Sequence, residues 1–216
     1  DFGSDNYEVI IVNDGSSDGG SDLIDQYAAK FSNFTAIHQP NSGWPGGPRN
    51  RGIEKSSGDY LFFADSDDIL ALNALSEMVG LAQEHDSDIV IPQMTGIDGR
   101  NVSQALFKKT RLDLPIEDAF RTLGPIKLYK RSLIENPSIR FPEGVVRLED
   151  GIFNADAYLR AKRISVLAGK DLYFVRARSD GNNISVRAFI PEGYTQSVAE
   201  ICRKVNASEL SQRTKE

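Results

Sequence analysis

The chain has 216 residues, 40% of them hydrophobic and 26% charged, which is ordinary globular usage and sets aside wholesale disorder and fibrous repeats. A formal net charge of −6, from 25 basic against 31 acidic residues, argues against nucleic acid as a partner, because binding by bulk charge needs a clustered basic surface. The single cysteine, Cys202, can form no internal disulfide, and no run approaches the roughly 20 apolar residues that a membrane-spanning helix needs.

In chain order, Glu8-Val9-Ile10-Ile11-Val12 is a continuous β-branched run that ends in Asn13-Asp14-Gly15-Ser16. It reads as a strand covered on both faces, the habit of parallel sheets in α/β proteins, feeding a polar turn. Leu23, Ile24, Tyr27, Ala28 and Phe31 at helical spacing place a helix over 21–31. A second strand covers Ala36-Ile37-His38. The density of glycine and proline from Gln39 to Pro48 predicts a loop with no regular element. A short helix follows over 49–56, and the strand Tyr60-Leu61-Phe62-Phe63-Ala64 delivers Asp65-Ser66-Asp67-Asp68 at its carboxyl end. Beyond it the pattern predicts a helix over 72–84, a strand at 89–91 and a hairpin turn over 96–101. Short helices at 116–123 and 132–135 flank a strand at 127–129. A helix over 149–158, strands at 164–166 and 172–175, and a final helix over 191–205 complete the pattern. One unit spans 1–205, and 206–216 reads as a polar tail or the start of a linker.

Four features carry chemistry. Asp65 and Asp67 stand two residues apart just after a buried strand, where ligand crevices of open α/β sheets lie. Such oxygens suit Mg²⁺ or Mn²⁺, which retains open positions for phosphate oxygens, although an isolated D-x-D is also what a solvated acidic turn looks like. No glycine stands at the sixth position from Asp65, which argues against an EF-hand. Asp14 faces the same crevice and can accept hydrogen bonds from a base or ribose, or simply close its turn. The glycine-rich loop leading to Arg49 lets backbone approach a diphosphate that the guanidinium can bond in bidentate fashion, yet it matches neither standard phosphate-loop pattern. Glu149-Asp150 opens a helix, where a carboxylate serves as general base or complements the helix dipole.

Taken together and in order, Val12-Asn13-Asp14-Gly15-Ser16-Ser17-Asp18, Asn41-Ser42-Gly43 with Pro48-Arg49-Asn50-Arg51-Gly52-Ile53, and Gly58-Asp59-Tyr60-Leu61-Phe62-Phe63-Ala64-Asp65-Ser66-Asp67-Asp68 resemble family 2 glycosyltransferases of GT-A fold. Met94-Thr95-Gly96-Ile97-Asp98-Gly99-Arg100, Pro125-Ile126-Lys127-Leu128-Tyr129, Phe141-Pro142-Glu143, Leu148-Glu149-Asp150 and Arg163-Ile164-Ser165-Val166-Leu167 are similar to one branch, the wall teichoic acid poly(ribitol phosphate) N-acetylglucosaminyltransferases. The resemblance covers about residues 7 to 185.

It implies a GT-A (Rossmann-like) α/β domain with a mostly parallel sheet flanked by helices. It also implies transfer of a sugar, N-acetylglucosamine by preference, from a UDP donor to an acceptor hydroxyl on a polyol-phosphate polymer or other glycan, with inversion. Asp14 and Asn41 are expected at the uracil, Arg49 at the diphosphate, and Asp65 at the ribose or metal. Asp67 is then the chief Mn²⁺ or Mg²⁺ ligand and Asp150 the base. A cytoplasmic location, peripheral contact with the inner membrane face, and oligomerisation through regions outside this chain are further expectations of the same kind. A non-catalytic nucleotide-sugar-binding module and a nucleotidyltransferase are the alternatives.

Two departures stand out. The branch carries a His-x-Ser in its late loop, where this chain has Asn182-Asn183-Ile184-Ser185. The family also begins with a strand and helix that this chain lacks. It is therefore expected to be incomplete at its N-terminus, with the 9–12 and 60–64 strands flanking an empty sheet position and the isolated chain unstable or inactive.

Overall fold

The computed structural model describes residues 2–136, 138–177 and 191–210. The central sheet has the strand order β3-β7-β5-β8, formed by Tyr60–Phe62, Leu128–Lys130, Ile89–Pro92 and Ile164–Leu167 (β3, β7, β5 and β8). Strand β7 runs antiparallel to both β3 and β5, while β5 and β8 are parallel, so β3, β5 and β8 share one direction.

Every residue of β5 is buried because helices cover both faces of the sheet. Val90 packs with Ala74, Met78 and Ala82, a one-sided stripe at four-residue spacing on α3 (Ala74–His85). Ile89 and Ile91 point the other way, into a cluster with Phe153, Ala157 and Tyr158 of α6 (Glu149–Arg160) and Ile53 of α2 (Gly46–Lys55). Ile134 of α5 (Arg131–Glu135) and Ala119 of α4 (Ile116–Ala119) extend that second layer. Helix α7 (Pro191–Ala207) lies against α6 and is tied to it by Lys204 Nζ on Asp156 Oδ2 at 2.8 Å.

Two smaller sheets flank this core. β4 (Ile69–Leu70) is antiparallel to β9 (Tyr173–Arg176), which runs parallel to β6 (Met94–Ile97). β1 (Val9–Asp14) and β2 (Phe34–Gln39) form a parallel pair of their own, joined by α1 (Gly20–Lys30). Among the described residues no strand pairs with the second edge of β1 or of β3, the gap the sequence suggested. Side chains on α1 are accordingly poorly covered, with Leu23 56% and Tyr27 46% exposed. The α/β class stands, with sheets more mixed in direction than the nearly parallel one expected.

Three local expectations fail. Helix α2 begins at Gly46, inside the stretch read as irregular. Pro48 falls in its first turn, where a missing N–H costs nothing, and Gly46 is required because a Cβ there would lie 2.2 Å from the Pro142 carbonyl oxygen. At 96–101 a turn forms, with the Arg100 N–H on the Ile97 carbonyl at 3.0 Å, yet among the described residues no strand returns from it beside β6, which pairs instead with β9. The final helix continues to Ala207, two residues into the segment read as a tail.

Candidate active site

Two loops at the carboxyl ends of β1 and β3 build the site. At the end of β1, the Asp14 carboxylate accepts the Gln39 amide at 2.7 Å, the Ser42 N–H at 3.0 and 3.1 Å, and the Ser42 hydroxyl at 2.8 Å. Asp14 therefore fastens the loop that carries Asn41, whose own Oδ1 takes the Gly43 N–H at 2.7 Å. Gly15, at φ 72°, permits this approach, since a Cβ would sit 2.7 Å from the Asn41 nitrogen. The expected neighbours Asp14 and Asn41 are thus brought together.

After β3, Phe63 is wedged edge-on against Tyr129, Phe141 and Phe153, with Phe141 and Phe153 stacked at 3.9 Å. This aromatic block fixes the backbone two residues before Asp65. The Asp65 N–H donates to the Tyr173 hydroxyl at 3.0 Å, and Asp68 Oδ1 takes the Arg176 N–H at 2.8 Å, so β9 holds the acidic turn from the other side. Burial raises the Asp68 carboxyl, against the lowering effect of that N–H. Asp67, between them, has no hydrogen-bond or ion-pair partner among the described residues.

Arg49 is the hub. It projects from the first turns of α2, with Nη2 on Asp65 Oδ1 at 2.9 Å and Nη1 on Asp150 Oδ1 at 2.6 Å and on Glu149 Oε1 at 3.5 Å. The guanidinium also lies 5.4 Å from the centre of the Phe141 ring. Burial pulls Arg49 down, but the charges of Asp150, Asp65 and Glu149 outweigh it and hold it above its ordinary value. The expectation that Arg49 meets a diphosphate is untouched by these contacts; what they add is a second role, joining the acidic turn to the helix bearing Asp150.

Asp150 lies in the first turn of α6, after Leu148 in the left-handed region at φ 56°. Burial pushes its carboxyl up to about 7 against the pull of Arg49, and the charges of Glu149 and Asp65 push in the same direction as burial. A carboxyl so placed is matched to proton abstraction near neutrality. Beneath it stands Lys127, fully buried, its Nζ donating to the Gly124 carbonyl and lying 5.8 Å from the Tyr158 ring centre. Burial brings this ammonium down to about 7, with the Asp150 charge as counterweight. Asn154 completes the floor, donating to the Asp150 carbonyl at 2.9 Å and to Gly124 at 3.1 Å while accepting the Tyr129 hydroxyl at 2.8 Å.

Lys127 and Asn154 have no role in the reading from sequence, and Glu149 enters it only beside Asp150 as a helix-start carboxylate. The ion pair of Glu149 with Arg49 leaves no local pattern, and nothing local marks Lys127 as buried. The Asn182–Ser185 segment lies outside the described residues.

A divalent cation suits this donor set. Three carboxylates surround one guanidinium, leaving formal charge −2, and Asp67 adds a carboxylate without a hydrogen-bond or ion-pair partner. Among the described residues no group of three or more potential ligands converges, so Asp65 and Asp67 could supply two positions and leave the rest to water or substrate oxygens. Among the described residues, no helix is long and apolar enough to cross a membrane.

A model of glycosyl transferase family 2 matches residues 3–148. The poly(ribitol-phosphate) beta-glucosyltransferase of Bacillus spizizenii is 39% identical over 214 residues, covering 98% of this chain and 34% of that protein. The poly(ribitol-phosphate) beta-N-acetylglucosaminyltransferase TarS of Staphylococcus aureus is 32% identical over 218 residues, covering 100% of this chain and 38% of that protein. The chain thus spans little more than a third of the length of these relatives. A crystal structure of S. aureus TarS 1-349 in complex with UDP-GlcNAc matches with a TM-score of 0.93 at 32% identity, over 100% of this chain and 62% of that one. The GT-A-like α/β fold is shared.

Proposed function

Because the chain belongs to glycosyltransferase family 2, we propose that it moves a sugar from a UDP donor to a hydroxyl of a polyol-phosphate polymer, with inversion. The observation that carries this reading is the Arg49 bridge, which holds Asp65 of the acidic turn and Asp150 of α6 on one guanidinium at 2.9 and 2.6 Å. The donor's leaving group and the acceptor's proton are then handled side by side. Asp14 and Asn41 form the uracil end of the donor site, Asp65 takes the ribose or metal, and Arg49 turns to the diphosphate as the donor enters.

In the transfer, Asp150 takes the proton of the acceptor hydroxyl, and the acceptor oxygen bonds to C1 of the sugar from the face opposite UDP. The bond from C1 to the diphosphate oxygen breaks with its electron pair leaving on UDP. One displacement inverts C1 and needs one base. Asp67 and Asp65 would hold Mn²⁺ or Mg²⁺, which when bound would supply charge neutralisation for the departing diphosphate.

N-acetylglucosamine is the proposed sugar, supported by the match to TarS with UDP-GlcNAc, while the glucosyl relative makes glucose the competitor to test. The proposed setting is the cytoplasm at the inner membrane face. The deciding experiment is calorimetry of UDP with and without Mn²⁺ on the full-length protein, followed by transfer from UDP-GlcNAc and UDP-glucose to a polyol-phosphate polymer. Mn²⁺-enhanced UDP binding with preferred transfer of N-acetylglucosamine is expected. Binding without turnover identifies a non-catalytic module, and absence of UDP binding removes the reading altogether.

A further inference from the structure

A basic hollow interrupts the surface of this acidic chain, outside the site just described. Residues 108–111 run antiparallel beside β8, the sheet's outer strand. Arg111 N–H meets the Val166 carbonyl at 3.0 Å, Val166 returns the bond at 2.8 Å, and the Thr110 hydroxyl lies 3.2 Å from the Ala168 carbonyl. Since the pairing is antiparallel, Lys108 and Lys109 stand past the end of β8, at the carboxyl end of the sheet. Strands β3, β5 and β8 share a direction, so this is also the end at which Asp65 leaves β3. From β3 the order passes through β7, β5 and β8 to this segment, four lateral steps of about 4.8 Å each, or roughly 19 Å.

The hollow has a volume of about 170 Å³ and is lined by Lys108, Lys109, Arg111 and Arg121 with one carboxylate, Asp118. Asp118 is shared, bonding Arg111 Nη1 at 2.9 Å and Arg121 Nε at 3.3 Å, which leaves a formal charge of +3. Lys108 and Lys109 are exposed and have no hydrogen-bond or ion-pair partner among the described residues. Four cations converging on one concavity oppose the −6 of the whole chain, a local field suited to a fixed anion.

We propose that this hollow holds a backbone phosphate of the acceptor polymer, several repeats away from the hydroxyl being modified. The inference rests on the acceptor assigned under the proposed function. A phosphodiester carries one permanent negative charge per repeat, so a chain lying along the carboxyl end of the sheet presents a phosphate to the lysines while another repeat lies at Asp150. Arg111 and Arg121 offer planar donors and the lysines mobile point charges. A second point of attachment raises the effective concentration of the remaining hydroxyls without touching the transfer step.

The test is Lys108→Glu/Lys109→Glu in the full-length protein, with Lys108→Arg/Lys109→Arg as the conservative control. Calorimetry with a long polyol-phosphate polymer, KM for that polymer and for a single-repeat acceptor, and UDP affinity are measured at two ionic strengths. Expected is a roughly tenfold loss of polymer affinity and a matching rise in its KM, with single-repeat KM, kcat and UDP affinity unchanged. The salt dependence of polymer binding should flatten, and the arginine pair should restore it. Unchanged polymer affinity overturns the proposal. So does loss of binding to phosphatidylglycerol vesicles with polymer affinity intact, which makes the hollow a lipid headgroup site. If no acceptor is glycosylated although UDP binds, the transfer reading has failed separately, and polymer calorimetry on the charge-reversed pair still decides the hollow: reduced affinity supports it, and equal or absent binding in both proteins overturns it.

Discussion

Arg49 binds carboxylates 16 and 101 residues away in sequence, and its fork geometry makes this possible because two nitrogens address two groups at once. Asp67, without a hydrogen-bond or ion-pair partner among the described residues, is the proposed cation ligand. Asp67→Ala should remain folded and lose the Mn²⁺ enhancement of UDP binding; calorimetry showing the enhancement intact would move the metal elsewhere. Asp150→Asn removes the proton acceptor without changing shape, so turnover should fall by about 10²- to 10⁴-fold while UDP affinity stays nearly unchanged. A loss confined to donor affinity would make Asp150 a binding residue.

As the proposed base, Asp150 must be ionised to work, and its carboxyl is pushed up to about 7, so the rate should rise with pH up to the neutral range. Lys127 acts on the same group, since its positive charge favours the carboxylate. Lys127→Met should therefore move the acid limb of the kcat profile to higher pH, and an unmoved limb in a folded variant would leave Lys127 a packing role only. Asp65, Asp67 and Asp150 each have an ordinary use alone, as turn acids or partners of a helix dipole, and only their chain order with Asp14 and Arg49 drew them into one candidate site. Arg49 was legible as a site residue, but not its bonds to Asp65 and Asp150, because ion pairs at such separations leave no local pattern. Lys127 was opaque for a related reason: in sequence it is one polar residue before Leu128-Tyr129, and only the fold closes Tyr158 over it.

At the scale of elements, the helices with clean apolar stripes and the β-branched runs fall where periodicity puts them. The failures share a cause in contacts made across the chain. Gly46 and Gly47 read as breakers, yet α2 starts at Gly46 because the 141–143 segment lies against it. Asn50, one turn on, fixes the same segment by donating to the Phe141 carbonyl at 2.9 Å and accepting the Phe141 N–H at 2.9 Å. Gly46→Ala forces a carbon to within 2.2 Å of the Pro142 oxygen and should destabilise by on the order of 1–3 kcal/mol in urea unfolding. Full wild-type stability would mean that the segment can yield. The missing hairpin at 96–101 has the same origin, since β6 takes its partner from β9, far along the chain.

Across the whole molecule, the α/β class and the carboxyl-end location of the site were readable from buried strands ending in acids. The division into separate sheets was readable only as a gap beside β1 and β3. Its consequence for stability is uneven. β5 is buried along its whole length, whereas Val9 to Val12 of β1 are half-buried. Amides of Ile10 to Val12 should exchange with solvent faster than those of Ile89 to Ile91, and equal protection would show that the two sheets open as one unit.

Between those sheets the described contacts are few and local. Glu8 Oε1 accepts the Ser57 and Gly58 N–H groups at 2.6 and 2.9 Å, and α2 packs across from β1 toward the 141–143 segment. The proposed donor spans this seam, its base on the Asp14 side and its diphosphate on the Asp65 side. A nucleotide seated there is mortar between two blocks as well as a reactant. It should stiffen the β1–β2 block in proportion to its occupancy, by RT ln(1 + [L]/Kd), and each departure of UDP should loosen the masonry before the next donor arrives.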